Sequence, residues 1–417
     1  MRAPLILELA EEVRVASTAG DVRRLEEAAL RLAHQAEAPP GEEAEIGALD
    51  PVEHDLLVAE RSHLAELARL LVDTATRGCP SVAGWCADKG EELKALAVAH
   101  ARSTTSGAPA ACSPTGPALS VGGVAAGDDG TVLWSLPREG AIWRMDRHGF
   151  VAPLVSPGTL VEDEVGWSAG FSPVGLDLGR DGRLYAADRL HHRVVTVGGD
   201  GSVRVLAGGA NGEADGEGGS ARFRFPRDLV IGPDGCVLVA DTGNDRVRTV
   251  SPDGLVSTLA GSVYDHLDGR GPLACFRRPH AIAPDGSGGY LVADTGNHAV
   301  RVVGPGGDVR TLAGGPVDGP SRPGAPSLFS WPLSVAPDGD GGAIVLDGGD
   351  RTLRRITADG RYGGRIGVPP AFRPDAIVRR GSHGLVIVGV STGSRHAAAE
   401  VVLVDTAAGD CSRLVAS

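Results

Sequence analysis

Arg227, Asp228, His280, Ser334 and Asp375 are the residues of this 417-residue chain whose types could do chemistry together. Each stands one or two places after a proline, in Pro226-Arg227-Asp228, Pro279-His280, Pro332-Leu333-Ser334 and Pro374-Asp375. Guanidinium, carboxylate, imidazole and hydroxyl gathered at one place would hold an anion. They could equally move a proton, with His280 or Asp375 as general base and Arg227 stabilising negative charge. Arg224 and Arg278, just ahead of two of the prolines, would add a rim suited to carboxylate or phosphate, which guanidinium binds bidentately. The inert alternative is that Arg227 pairs with Asp228 and His280 is merely solvated. No nucleophile, base and orienting group stand out as a trio.

Positions so far apart meet only if the chain repeats, and it does. Pro173, Pro226, Pro279 and Pro332 are 53 residues apart (226−173, 279−226, 332−279), with a first copy opening near Ser120 and a last at Pro374, 42 after Pro332. An aspartate falls 15 residues after each of the four central prolines, at Asp188, Asp241, Asp294 and Asp347, while Ser135 and Gly389 hold that place in the outer copies. A fixed period of this size means a solenoid or a propeller, with atypical terminal copies. The third copy carries four short apolar runs, Asp228–Ile231, Val237–Ala240, Arg246–Val250 and Val256–Ala260, with Asp234-Gly235 and Asp253-Gly254 between them. Short β-rich runs joined by Asp-Gly are hairpins. No run has helical periodicity, which excludes a stack of α/β repeats. Six copies of four strands make a mainly β chain, a six-bladed β-propeller.

Hairpin alternation puts the Asp-Gly turns on one face and the Ala-Asp-Thr-Gly-Asn turns, with the long connections, on the other, called the top here. The strand after each proline is innermost, so the next two residues stand at the mouth of the central channel. Around the ring these are Val121-Gly122, Val174-Gly175, Arg227-Asp228, His280-Ala281, Leu333-Ser334 and Asp375-Ala376. A purely structural ring would repeat one residue type. This one is polar on one side only, which marks the mouth as the ligand site. The recurring aspartates read as turn-holding residues, and His192 and His298 beside them as scaffold.

Phe225-Pro226-Arg227-Asp228, Ala240-Asp241-Thr242-Gly243-Asn244 and their echo from Arg278 to Asn297 resemble the NHL-repeat family. The resemblance covers residues 118–417 and implies a six-bladed propeller. It extends to the peptidylglycine amidating lyases, whose zinc is held by histidines after such prolines. Only Pro279-His280 matches that phrase, and one ligand of three is not a zinc site. The cofactor is therefore open: a divalent metal at His280 would lack its full ligand set. Some NHL propellers bind RNA. A net charge of −13, and top loops carrying acids among their arginines, argue against nucleic acid here.

About 300 residues of propeller leave a front region. Leu5, Leu9, Val13 and Ala16, then Val22, Leu25, Ala29 and Leu32, lie at helical spacing, and Asp50-Pro51-Val52-Glu53 starts another helix in capping-box fashion. Residues 1–102 read as a helical domain and 103–117 as a linker rich in Ser, Thr, Gly, Ala and Pro. Residues 1–105 carry 11 basic and 19 acidic groups, a net of −8, which suits docking, dimerisation or bracing rather than nucleic acid. Cys79 and Cys86 with Trp85 read as helix-corner packing, since no second ligand pair follows. Six unevenly spread cysteines are not a disulfide framework, the opening lacks the apolar core of a secretory leader, and no apolar run spans a membrane. The expected compartment is the cytoplasm. Lysine occurs only at 89 and 94, so no propeller lysine forms a Schiff base. The sequence favours a binding platform for a protein partner or small anionic ligand at the mouth. Its alternative is a lyase, hydrolase or cyclase using the same site.

Overall fold

A computed structural model describes residues 8, 9, 11–13, 15, 24, 28, 31, 32, 121–163, 167, 168, 170–263, 265–315, 328–382, 384–391, 399–406 and 411–416. The chain divides into two compact units, Met1–Ala118 and Leu119–Ser417. The described residues of the first unit are helical, and Leu9, Val13, Ala28 and Leu32 are buried there at i, i+4 spacing. The helix start at 50–53, the linker and the Cys79–Cys86 segment lie outside the described residues.

The second unit is six antiparallel sheets. In each, four successive strands form a meander; in the third the Asp234-Gly235 and Asp253-Gly254 turns reverse the chain between the first and second and the third and fourth strands. The first blade comprises Val124–Ala126, Val132–Leu136, Ala141–Met145 and Val151–Val155; the third comprises Asp228–Ile231, Val237–Asp241, Arg246–Val250 and Leu255–Ala260. The second, fourth and fifth open on Pro173–Leu178, Pro279–Pro284 and Pro332–Pro337. The sixth opens on Phe372–Arg380 and puts Pro374 inside that strand, beside a bulge. Its opening proline is thus not a strand start, as the repeat alone suggests. Blades two, three and four also cover their outer strand with a short piece of the preceding connection, at Val161–Glu162, Gly216–Glu217 and Gly269–Arg270. Such cover blunts an exposed sheet edge.

The opening strands pack in a ring, each against the next, and that of the sixth blade against that of the first. Between blades lie apolar cores. Val230, Leu238 and Val247 of the third meet Ile282 and Val292 of the fourth. Val124, Trp134 and Ala141 of the first meet Ala376, Val388 and Val401 of the sixth. Each sheet uses a continuous stretch of chain, so closure rests on this last core and not on a shared strand.

Candidate functional site

The mouth is built by the turn that follows the second strand of each central blade. Asp241 is fully buried there. It accepts the Arg224 N–H at 2.8 Å, Asn244 Nδ2 at 2.8 Å and Arg248 Nη1 at 2.9 Å. Arg248, also fully buried, reaches on to Asp215 at 2.5 Å and to the carbonyls of Ala214 and Arg222. Asp294 and Arg301 repeat the arrangement at 2.7 Å, with Asp268 at 2.8 Å outside. These aspartates hold their turns as expected, but mainly as one half of a buried ion pair that the repeat pattern does not reveal. The other half sits seven residues on, inside a strand that reads as apolar. Gly243 lets the turn close, since a Cβ there would stand 2.6 Å from the Arg224 carbonyl oxygen.

The last residue of each turn is left-handed: His192 (φ 54°), Asp245 (φ 56°), His298 (φ 54°) and Arg351 (φ 56°). Each holds the entry to the next blade. His192 Nδ1 accepts the Phe225 N–H at 3.1 Å and its ring meets Phe225 edge-on. Burial, and then charge on His191, push His192 down to about 4, so the ring is neutral and free to accept. Asp245 accepts the Arg278 N–H at 2.6 Å, and His298 Nδ1 bonds the Ser330 carbonyl. Phe225 and Arg278 are themselves left-handed (φ 50° and 51°), although proline follows each. That conformation is strained for a side-chain-bearing residue and persists where its surroundings fix it. It aims the two residues after each proline.

These entries bring Arg227 and His280 together, with Nη1 2.7 Å from Nε2. Guanidinium can only donate, so Nε2 accepts and the imidazole proton lies on Nδ1. Asp228 lies alongside. Its carboxylate accepts the Ile282 N–H of the fourth blade at 3.0 Å and packs over Gly175 of the second, where a Cβ would fall 2.3 Å from Oδ1. Burial, with Asp177 adding like charge, pushes Asp228 up to about 7 against the pull of the Ile282 and Leu229 N–H groups. Ser334 and Asp375 stand across the ring. Ser334 Oγ bonds both N–H (3.2 Å) and carbonyl (3.5 Å) of Ile377. Asp375 pairs with Arg351 at 3.1 Å and Arg373 at 3.5 Å and accepts the Val121 N–H at 3.4 Å. Of the two rim arginines, Arg224 is exposed and Arg278 half-buried; both give their backbone N–H to the aspartates described.

The polar ring residues therefore do two things. Asp228 and Ser334 satisfy backbone groups on the next blade's opening strand and Asp375 one just ahead of the first blade's, while Arg227 and His280 form a side-chain pair across a blade junction. Among the described residues no three His, Cys, Asp or Glu converge to hold a metal.

No protein-family model matches the chain. Over 122 residues it is 32% identical to NHL repeat-containing protein 2 of Bos taurus, and over the same length 30% identical to that of Homo sapiens. Over those residues the chain is similar to NHL repeat-containing proteins. The match takes in 29% of this chain, which spans 15% of the length of those relatives. Among solved structures the propeller is similar to virginiamycin B lyase from Staphylococcus aureus (TM-score 0.47, 15% identity, 71% of this chain and 84% of that one). It is also similar to a gluconolactonase from Xanthomonas campestris (TM-score 0.48, 17% identity, 66% and 85%). At such identities the likeness concerns fold alone. No helix among the described residues is long and apolar enough to cross a membrane, which leaves strand-built membrane passages untouched.

Proposed function

We propose that the protein is a binding platform whose top-face channel mouth takes a small anionic ligand, or an anionic group of a protein partner. The observation that carries this reading is the Arg227–His280 pair: a guanidinium fixed at 2.7 Å by a neutral imidazole from the next blade. Pre-orienting a fork of donors in this way lowers the ordering cost of binding an oxyanion. Val174 and Leu333, on the blades that flank this pair on either side, suit an apolar remainder of the ligand. In this reading the helical front domain over 1–102 contacts other molecules or braces the chain, and the compartment is the cytoplasm.

Acid–base chemistry is the second reading, and Asp228 favours it. A carboxyl raised to about 7 beside Arg227 can exchange a proton at neutral pH. Native mass spectrometry of the full chain tests the first reading. The parent should carry an anionic molecule or partner that Arg227→Ala with His280→Ala loses, and a double variant that retains it as the parent does would overturn the proposal.

A further inference from the structure

In the third and fourth blades the residue three places after the recurring aspartate is asparagine, and it ties that carboxylate to its turn. Asn244 gives one amide hydrogen to Asp241 at 2.8 Å and the other to the Gly212 carbonyl at 2.7 Å. Asn297 does the same with Asp294 at 2.9 Å and the Asp265 carbonyl at 2.8 Å. The second blade has His191 in that place. Its Nδ1 lies 2.8 Å from Asp188, and among the described residues nothing bonds Nε2. The side chain is 22% exposed while the aspartate is fully buried, so the open edge of the ring is the one that carries Nε2. Gly170 makes room for that edge, since a Cβ there would stand 2.4 Å from Nε2. We propose that His191 is a general base on the top face of the second blade, and that its substrate is a small carboxylic ester.

Asp188 decides which nitrogen can act. Its Oδ2 accepts Arg193 Nε at 2.8 Å, and its Oδ1 accepts the Ser172 N–H at 2.9 Å beside the imidazole. Burial pushes this carboxyl up, but His191, Arg193 and the Ser172 N–H outweigh it and hold the group below the usual carboxylate range. An ionised carboxylate can only accept, so Nδ1 donates and the neutral ring keeps its lone pair on Nε2. Holding the turn needs no such nitrogen, since an amide does that work in two other blades. The substrate class follows from the charges. Arg193 is buried, and its Nη1 and Nη2 are taken up by Ser168 at 2.9 Å and the Gly170 carbonyl at 2.7 Å. The guanidinium that touches the pair therefore cannot turn outward to neutralise a phosphate or carboxylate, which leaves an uncharged electrophile. In the reaction Nε2 takes a proton from water while the water oxygen adds to the acyl carbon. The carbon–oxygen bond to the alcohol then breaks, and Nε2 returns the proton to the departing oxygen, which gives acid and alcohol.

The pair uses none of the mouth residues, so the two places can be tested apart. The full chain is assayed with p-nitrophenyl acetate, and release of nitrophenolate is followed over many turnovers. His191→Asn gives the second blade the residue that the third and fourth already carry, so its melting temperature should match the parent's. His148→Gln, which removes an exposed imidazole from the first blade, is the control. Parent and control should turn over at the same rate, and His191→Asn should be slower by about tenfold or more, as loss of a general base requires. A smaller loss overturns the inference, as does an equal loss in the control or a parent whose release stops after one equivalent. A melting temperature that drops with the rate would mark His191 as structural and overturn it too. If the rate falls in Arg227→Ala with His280→Ala while His191→Asn keeps it, the chemistry belongs to the mouth and this inference alone is lost. A second readout is independent of the substrate. Imidazole nitrogen NMR of the full chain, with the His191 signals assigned by their loss in His191→Asn, should show the proton on Nδ1. A proton on Nε2 would mean that Asp188 does not hold the ring as a base, and would overturn the inference whatever the ester rate.

Discussion

Asp228 is where the mouth can be interrogated with least disturbance. Its folded-state pKa, about 7, lies far above that of an unfolded aspartate. Folding therefore takes up a proton on this group. The stability it contributes is complete below pH ~4 and is lost as pH rises toward and through 7. Asp177, pushed up to about 6 by burial on the opening strand of the second blade, acts with the same sign. Asp228→Asn keeps an oxygen for the Ile282 N–H and removes the charge. Melting temperature measured from pH 5 to pH 8 should fall less steeply in the variant. At pH 8 the variant should be the more stable by about 1–3 kcal/mol. Two parallel curves would mean that Asp228 is ionised and solvated. The sequence could place this aspartate at the mouth because the repeat fixes its position. It could not show that a glycine 53 residues earlier makes room for the carboxylate, or that an N–H of the next blade receives it.

Strands and turns were legible because they are local. The four runs of the third copy match its strands to within a residue at Val256 and Ala240, since β-branched runs and Asp-Gly turns act over a few positions. The blade-to-blade connections were not legible, and the reason is Arg248. A single buried arginine ties 214–222 to the third blade by satisfying two carbonyls and an outer carboxylate at once. Long-range polar ties of this kind leave no periodic trace in a sequence. Their energetic weight is testable. Arg248→Met preserves much of the side chain's bulk but leaves Asp241 buried without its cation, which should cost about 3–5 kcal/mol. The urea midpoint should drop, and limited proteolysis should cut first within 209–224. Arg301→Met should expose the corresponding connection before the fourth blade instead. Cleavage spread evenly over all connections in either variant would show that these arginines do not act locally.

The ring as a whole depends on one junction that differs from the other five. Chain connectivity links each blade to the next, but the sixth meets the first, among the described residues, through packed side chains and the Asp375–Val121 hydrogen bond. Propellers that share a strand across this seam lock it covalently. Here the lock is apolar, and Trp134, 2% exposed, is its largest part. Trp134→Ala removes that volume from a packed interior and should cost about 3–5 kcal/mol. Where the loss shows is more informative than its size. If closure is the weakest contact of the ring, partial opening will begin there, and amide hydrogen exchange should quicken in 124–155 and 372–405 while 228–260 and 279–314 keep their protection. The mouth should respond unevenly, because Asp375 sits at the seam whereas Arg227 and His280 sit across the ring from it. An anion held by blades three and four should then bind the variant almost as it binds the parent below the opening temperature. Uniform acceleration of exchange in all six blades would instead show a ring that opens as one unit, with the seam no weaker than the junctions the chain itself connects.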